Sequence, residues 1–155
     1  MSGESGTVEA IFLAATRGAM PVSVAAAVAH AGRGLEADRN FGDADSEVCQ
    51  ITLIEAESLD RLKSDFQLDL DPAATRRQVL VRGVKLADFI GRRFHVGEVV
   101  GYGEESCEPC AHLAGLVGSQ IVLRGLLHTG LRARIVTSGT IRRGDAVSVQ
   151  IDERG

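Results

Sequence analysis

Two cysteines one helical turn apart, in Cys107-Glu108-Pro109-Cys110, are the residues of this chain best suited to chemistry. His112 follows them, and the turn-rich run Gly101-Tyr102-Gly103-Glu104-Glu105-Ser106 precedes them. A thiolate attacks electrophiles, binds soft metals and carries sulfur. The spacing alone therefore leaves three readings open: a structural zinc half-site, a redox dithiol, or one working thiol with an idle neighbour. Zinc needs two further ligands, and only Cys49 and the scattered His30, His95, His112 and His128 could supply them. A redox dithiol wants its first cysteine at a helix N-terminus within a βαβ unit, and no such unit surrounds the pair. A helix beginning after Pro109 would place Cys110 nearer its positive end than Cys107, which favours Cys110 as the thiolate. His112 could act as an acid or base beside it, or simply cap the segment. Cys49, just before a strand pattern, reads as an ordinary core residue.

Anion-binding groups form the second candidate set. Arginine outnumbers lysine 15 to 2, and guanidinium forks hold phosphate and other oxyanions bidentately. The charge is strongly segregated: Leu35 to Asp71 carries eleven acids against three bases, Arg76 to His95 six bases against Asp88, and Arg124 to Arg143 five arginines and no acid. Arg76-Arg77-Gln78 leads into a strand pattern and could deliver guanidinium groups to a barrel mouth. Arg132 and Arg134 share one strand face by the period of two; inward they would make an anion site, outward only a charged face. The loop from Gly32 to Gly42 holds three glycines, with Asp38 and Arg39 placed to bind polar ligand groups or merely to pair with each other.

The elements that must position these groups are short. With 155 residues, 45% hydrophobic and 25% charged, the chain is expected to fold as one domain over residues 1–155. Aromatics are only 4% and Trp is absent, so base stacking has few platforms and nucleic acid is not an expected partner. No signal peptide or membrane-length apolar run is visible, which points to the cytoplasm and to reactive or metal-binding cysteines. Strands are predicted at Val8–Ala14, Gln50–Ile54, Gln78–Arg82, Phe94–Val96, Val99–Tyr102, Leu131–Val136 and Ala146–Ile151. Helical spacing of Leu59, Leu62 and Phe66 predicts an amphipathic helix over Glu55–Phe66, and Ala111–Leu127 also reads as helical. Leu86–Ile90 reads as one helical turn and Leu68–Thr75 as a linker. Met20–His30 fits a helix or a strand with a loop equally well. The set is mainly β with a few helices, an α+β chain favouring a small closed barrel.

Taken in order, the motifs resemble the MOSC domain, the C-terminal module of molybdenum-cofactor sulfurase, in its small stand-alone bacterial form. The matching stretches are Gly34-Leu35-Glu36-Ala37-Asp38-Arg39, Gln50 to Glu57, Arg76-Arg77-Gln78-Val79, Gly91 to Gly97, Cys107 to Cys110, Gly130 to Arg134 and Gly139 to Asp145. The resemblance implies a closed β-barrel like that first described in pyruvate kinase, and molybdenum-cofactor (molybdopterin) or sulfur chemistry. It implies that Cys110 ligates molybdenum or carries sulfur as a persulfide, and that Arg76 and Gln78 bind the pterin or its phosphate. Asp38, Arg39, Arg132 and Arg134 are the further expected cofactor contacts. The family usually has Asn where Gln78 stands and His or Tyr where Asn40 stands. Pyridoxal phosphate is not expected: that domain of the sulfurase is missing, and neither Lys63 nor Lys85 lies in a matching motif. The implied activities are reduction of N-hydroxylated substrates with an external electron donor, or sulfur carriage without metal. Partners would then be a small-molecule cofactor or substrate and a redox or sulfur-donor protein.

Overall fold

The structure, a computed structural model, describes residues 5–16, 19–39, 41–42, 50–67, 69, 71–75, 77–106 and 130–150. Along it come β1 (Ser5–Leu13), β2 (Val22–Val24), β3 (Ala26–His30), β4 (Gly34–Leu35), β5 (Ile51–Glu55), helix α1 (Ala56–Phe66), a 3-10 turn at Pro72–Thr75 and β6 (Val79–Arg82). A second 3-10 turn at Leu86–Phe89, β7 (Arg93–Val96), β8 (Val99–Ser106), β9 (Gly130–Thr137), β10 (Gly139–Arg142) and β11 (Ala146–Val149) complete the described elements.

Strand neighbours run β11-β7-β8-β9-β5-β6-β1, and β1 pairs back onto β11 from Ser5↔Ser148 to Thr7↔Ala146. The expected barrel therefore closes. β2 lies against the far end of β1, and β10, β3 and β4 form a separate small sheet. The pairings are antiparallel except β5 with β6, where α1 and the first 3-10 turn carry the chain back so that both strands run the same way.

Alternation explains the barrel wall. In β9 Leu131, Ala133 and Ile135 are buried, while Arg132, Arg134 and Val136 are exposed. Inside, Val8, Ile11, Leu53, Val79, Val81, Phe94, Val96, Leu131 and Val147 share one core with Leu86 and Phe89 of the second turn. The Phe89 and Phe94 rings lie 5.0 Å apart. A Cβ at Gly101 would sit 2.5 Å from the Phe94 ring tip, so that ring occupies space only glycine leaves. Around Ile54 and Leu80 the β5–β6 pair is apolar on both sides. Ile54 and Leu80 face outward against α1, in a second cluster with Phe12, Ala56, Leu59, Leu62 and Ala73.

All seven predicted strands appear, with shifted ends: the first covers Ser5–Leu13 and the last stops at Val149. The ambiguous Met20–His30 segment forms two strands, because Ala26–His30 finds a partner in β10 from Gly139↔Ala29 to Arg142↔Ala26. The Gly32–Gly42 loop contains the short β4, and the Leu68–Thr75 linker ends in a 3-10 turn. β10 itself was not expected. The helix predicted at Ala111–Leu127 lies outside the described residues. Among the described residues no helix is long and apolar enough to cross a membrane.

Candidate functional site

The outer side of the barrel across β8, β9, β5 and β6 carries a polar row. Glu105 pairs with Arg132 and Arg132 with Thr52, while Leu53 pairs with Val79, which sets Thr52 beside Gln78. Ile51, Leu53, Val79, Leu131 and Ala133 point into the core, so the intervening side chains project outward. An Arg132 guanidinium nitrogen lies 3.6 Å from a Glu105 carboxylate oxygen. One level along, Arg134 pairs with Glu104, and its guanidinium carbon sits 5.0 Å from the centroid of the Tyr102 ring. Side-chain exposure is 47% for Arg132 and 49% for Arg134, so of the two alternatives posed by their spacing the structure selects the outer face.

Where the row reaches β6 it becomes buried. Gln78 and Asp38 are only 7% and 8% exposed. Gln78 Nε2 donates to Asp38 Oδ2 at 3.0 Å, and Ala14 N donates to Asp38 Oδ1 at 3.1 Å. Thr52 N donates to Gln78 Oε1 at 2.9 Å, and Gln78 N donates back to Thr52 Oγ1 at 2.9 Å. Asp38 is brought here by the turn after β4: Ala37 takes a left-handed φ of 69°, Asp38 N donates to Leu35 O at 3.2 Å and Phe41 N to Asp38 O at 3.0 Å. Arg39 N donates to Ala14 O at 2.8 Å, which fastens the next residue of the turn to the end of β1. Farther out in this loop, His30 lies 2.5 Å from Glu36, and Arg33 stacks 4.8 Å over Phe41.

Two other buried polar side chains flank the row. Gln50 Oε1 accepts from Ile135 N at 2.9 Å, sealing the β5–β9 seam. Glu55, at the other end of β5, accepts from Leu86 N at 2.8 Å through Oε2. Burial pushes its carboxyl above the usual carboxylate range; the Leu86 N–H partly offsets this, and nearby Glu57 adds to it.

Of the residues singled out from sequence, Asp38, Gln78 and Arg132 are brought into one band, with Arg134 beside it and Arg39 on the turn that Asp38 anchors. Arg76, Cys107, Cys110, His112, Asn40, Cys49 and His128 lie outside the described residues. Ser106, the residue before Cys107, is level with Leu131 at the edge of the same band. Thr52 was missed. Its signal was a lone hydroxyl in the apolar run Ile51-Thr52-Leu53-Ile54. Among the described residues no three His, Cys, Asp or Glu side chains group as metal ligands.

A family model described as the MOSC domain matches residues 37–148. No curated protein matches the chain. Among solved structures, the YUAD protein from Bacillus subtilis is similar at a TM-score of 0.80 and 17% identity, over 96% of this chain and 98% of that one. YiiM from Geobacillus stearothermophilus gives a TM-score of 0.72 at 14% identity, covering 94% and 75%. YiiM from Escherichia coli gives 0.69 at 15% identity, covering 94% and 70%. At such identities these likenesses establish a shared fold.

Proposed function

The chain belongs to the MOSC domain family, and from that premise we propose that it binds molybdenum cofactor, with Cys110 as the metal-binding or sulfur-carrying thiol. The observation that carries this reading is the polar band, where Arg132, Thr52, Gln78 and Asp38 follow one another across the strands, beside the strand end that leads to Cys107. The donor set fits the group: a soft thiolate suits molybdenum, and planar guanidiniums suit the phosphate of a pterin. Arg76 would hold the anionic end, Arg132 and Arg134 would add positive field from the outer face while keeping their Glu105 and Glu104 partners, and Asp38, Arg39 and Gln78 would shape its surroundings.

When bound, the cofactor would supply a two-electron redox centre. The chain's own part would be to ligate through Cys110, to orient the phosphate through the arginines, and to exclude water beneath the band with the barrel core. The substrates would be N-hydroxylated compounds, reduced in the cytoplasm with electrons from a separate donor protein. In the alternative reading Cys110 holds sulfane sulfur, taken from a donor persulfide and passed to an acceptor, without metal.

Metal and persulfide analysis of protein from a molybdenum-replete host tests this. Stoichiometric molybdenum that is lost in Cys110→Ser and kept in Cys107→Ser is the expected result. A persulfide on Cys110 without molybdenum would instead establish the carrier, and zinc lost in both variants a structural site.

A further inference from the structure

We infer that Asp38 and Gln78 are positioning residues, a buried clasp that fixes the Arg39-bearing turn to the barrel, and that neither touches the cofactor. The inference rests on the cofactor reading above and departs from the expectation, carried by the resemblance alone, that the amide at this position contacts the ligand. A glutamine amide offers two donors and one acceptor oxygen. Here one donor goes to Asp38 at 3.0 Å and the oxygen accepts from Thr52 N at 2.9 Å, which leaves one amide hydrogen to place, at a residue only 7% exposed. Asp38 commits one oxygen to Gln78 and the other to Ala14 N, while Arg39 N bonds Ala14 O. The clasp thus joins three separate stretches, the end of β1, the turn after β4 and the paired starts of β5 and β6. It also accounts for the departure from asparagine: the extra methylene lets one amide span from the Thr52 backbone to the Asp38 carboxylate.

The pair can be exchanged without changing its charge or its size. In Asp38→Asn with Gln78→Glu, the new amide at position 38 would still accept from Ala14 N through its oxygen. It would donate to the new carboxylate at position 78, whose other oxygen would accept from Thr52 N. Each single variant instead sets like groups face to face, two amide donors in Asp38→Asn or two carboxylates in Gln78→Glu. The experiment measures amide hydrogen exchange at Ala14, Thr52 and Arg39, with molybdenum per chain, in wild type, both single variants and the double variant. Each single variant should quicken exchange at these amides at least about tenfold and lower molybdenum loading. The exchanged pair should restore both. Restored protection with loading still lost would overturn the inference, because a carboxylate at position 78 would then have replaced an amide that touches the anion. Protection that stays lost would overturn the clasp itself. If wild type carries no molybdenum, the cofactor reading fails while the three amides still decide the clasp.

Discussion

The outer surface of β5 and β6 divides into two halves that solve the same problem differently. Toward their C-terminal ends, Ile54 and Leu80 are covered by Leu59 and Leu62 of α1, and burial is apolar. Toward their N-terminal ends, Thr52 and Gln78 are covered by the Asp38 turn, and burial is achieved by matching each donor to an acceptor. The apolar half tolerates any side chain of suitable volume; the polar half tolerates only a particular arrangement of donors and acceptors. That is the difference between a part that holds the barrel together and a part suited to holding something in place.

The sharpest way to break the contrast is to remove volume from the apolar half. Leu62 is fully buried, and Leu62→Ala should cost about 2–5 kcal/mol in chemical denaturation. Asp38→Ala comes next: it orphans the Ala14 N–H and a Gln78 N–H donor, and should cost about 1–3 kcal/mol by the same measurement. Arg134→Ala, on the exposed stretch of the band, should shift stability by no more than about 0.5 kcal/mol, since its ion pair with Glu104 is half exposed. Its effect should appear in molybdenum loading, so equal losses in stability and loading would erase the distinction between framework and site.

The smallest effect belongs to Glu55, the last residue of β5. Its folded-state carboxyl is raised above the ordinary glutamate value, chiefly by burial. Its contribution is therefore fully present below the unfolded value and lost as pH rises through the folded one. Glu55→Gln keeps an acceptor for Leu86 N and should flatten that part of the stability profile, raising stability at neutral pH and not in acid. Unfolding midpoints of the two proteins across that range provide the check.

Much of the fold was legible in the sequence. Runs such as Val79-Leu80-Val81 and Leu131 to Val136 carry their own period, and Leu59 and Leu62 gave the helix its buried stripe. β10 was hidden because Gly139-Thr140-Ile141-Arg142 holds a single apolar side chain, and its strand character comes from pairing with β3. The alanine-rich β3 was ambiguous for the same reason: alanine prefers helix until a partner strand outweighs propensity. At the site, residue types were legible and their partners were not. Asp38 and Gln78 stand 40 residues apart, and no spacing rule links them. The thiol on which the cofactor reading turns lies outside the described residues.

The closure of β1 on β11 also sets an order of events. Ser5 meets Ser148, so nearly the whole described chain must be in place before the ring is complete. Until then β1 and β7 present unpaired backbone edges to each other and to any other extended peptide. Closing so large a loop carries an entropic cost that its contacts offset only at the end, which makes the last pairing slow and the half-made ring sticky. A nascent chain ending before Ala146 should therefore be an aggregation-prone intermediate, and pairing of β11 with β1 the step that removes the open edges of the ring.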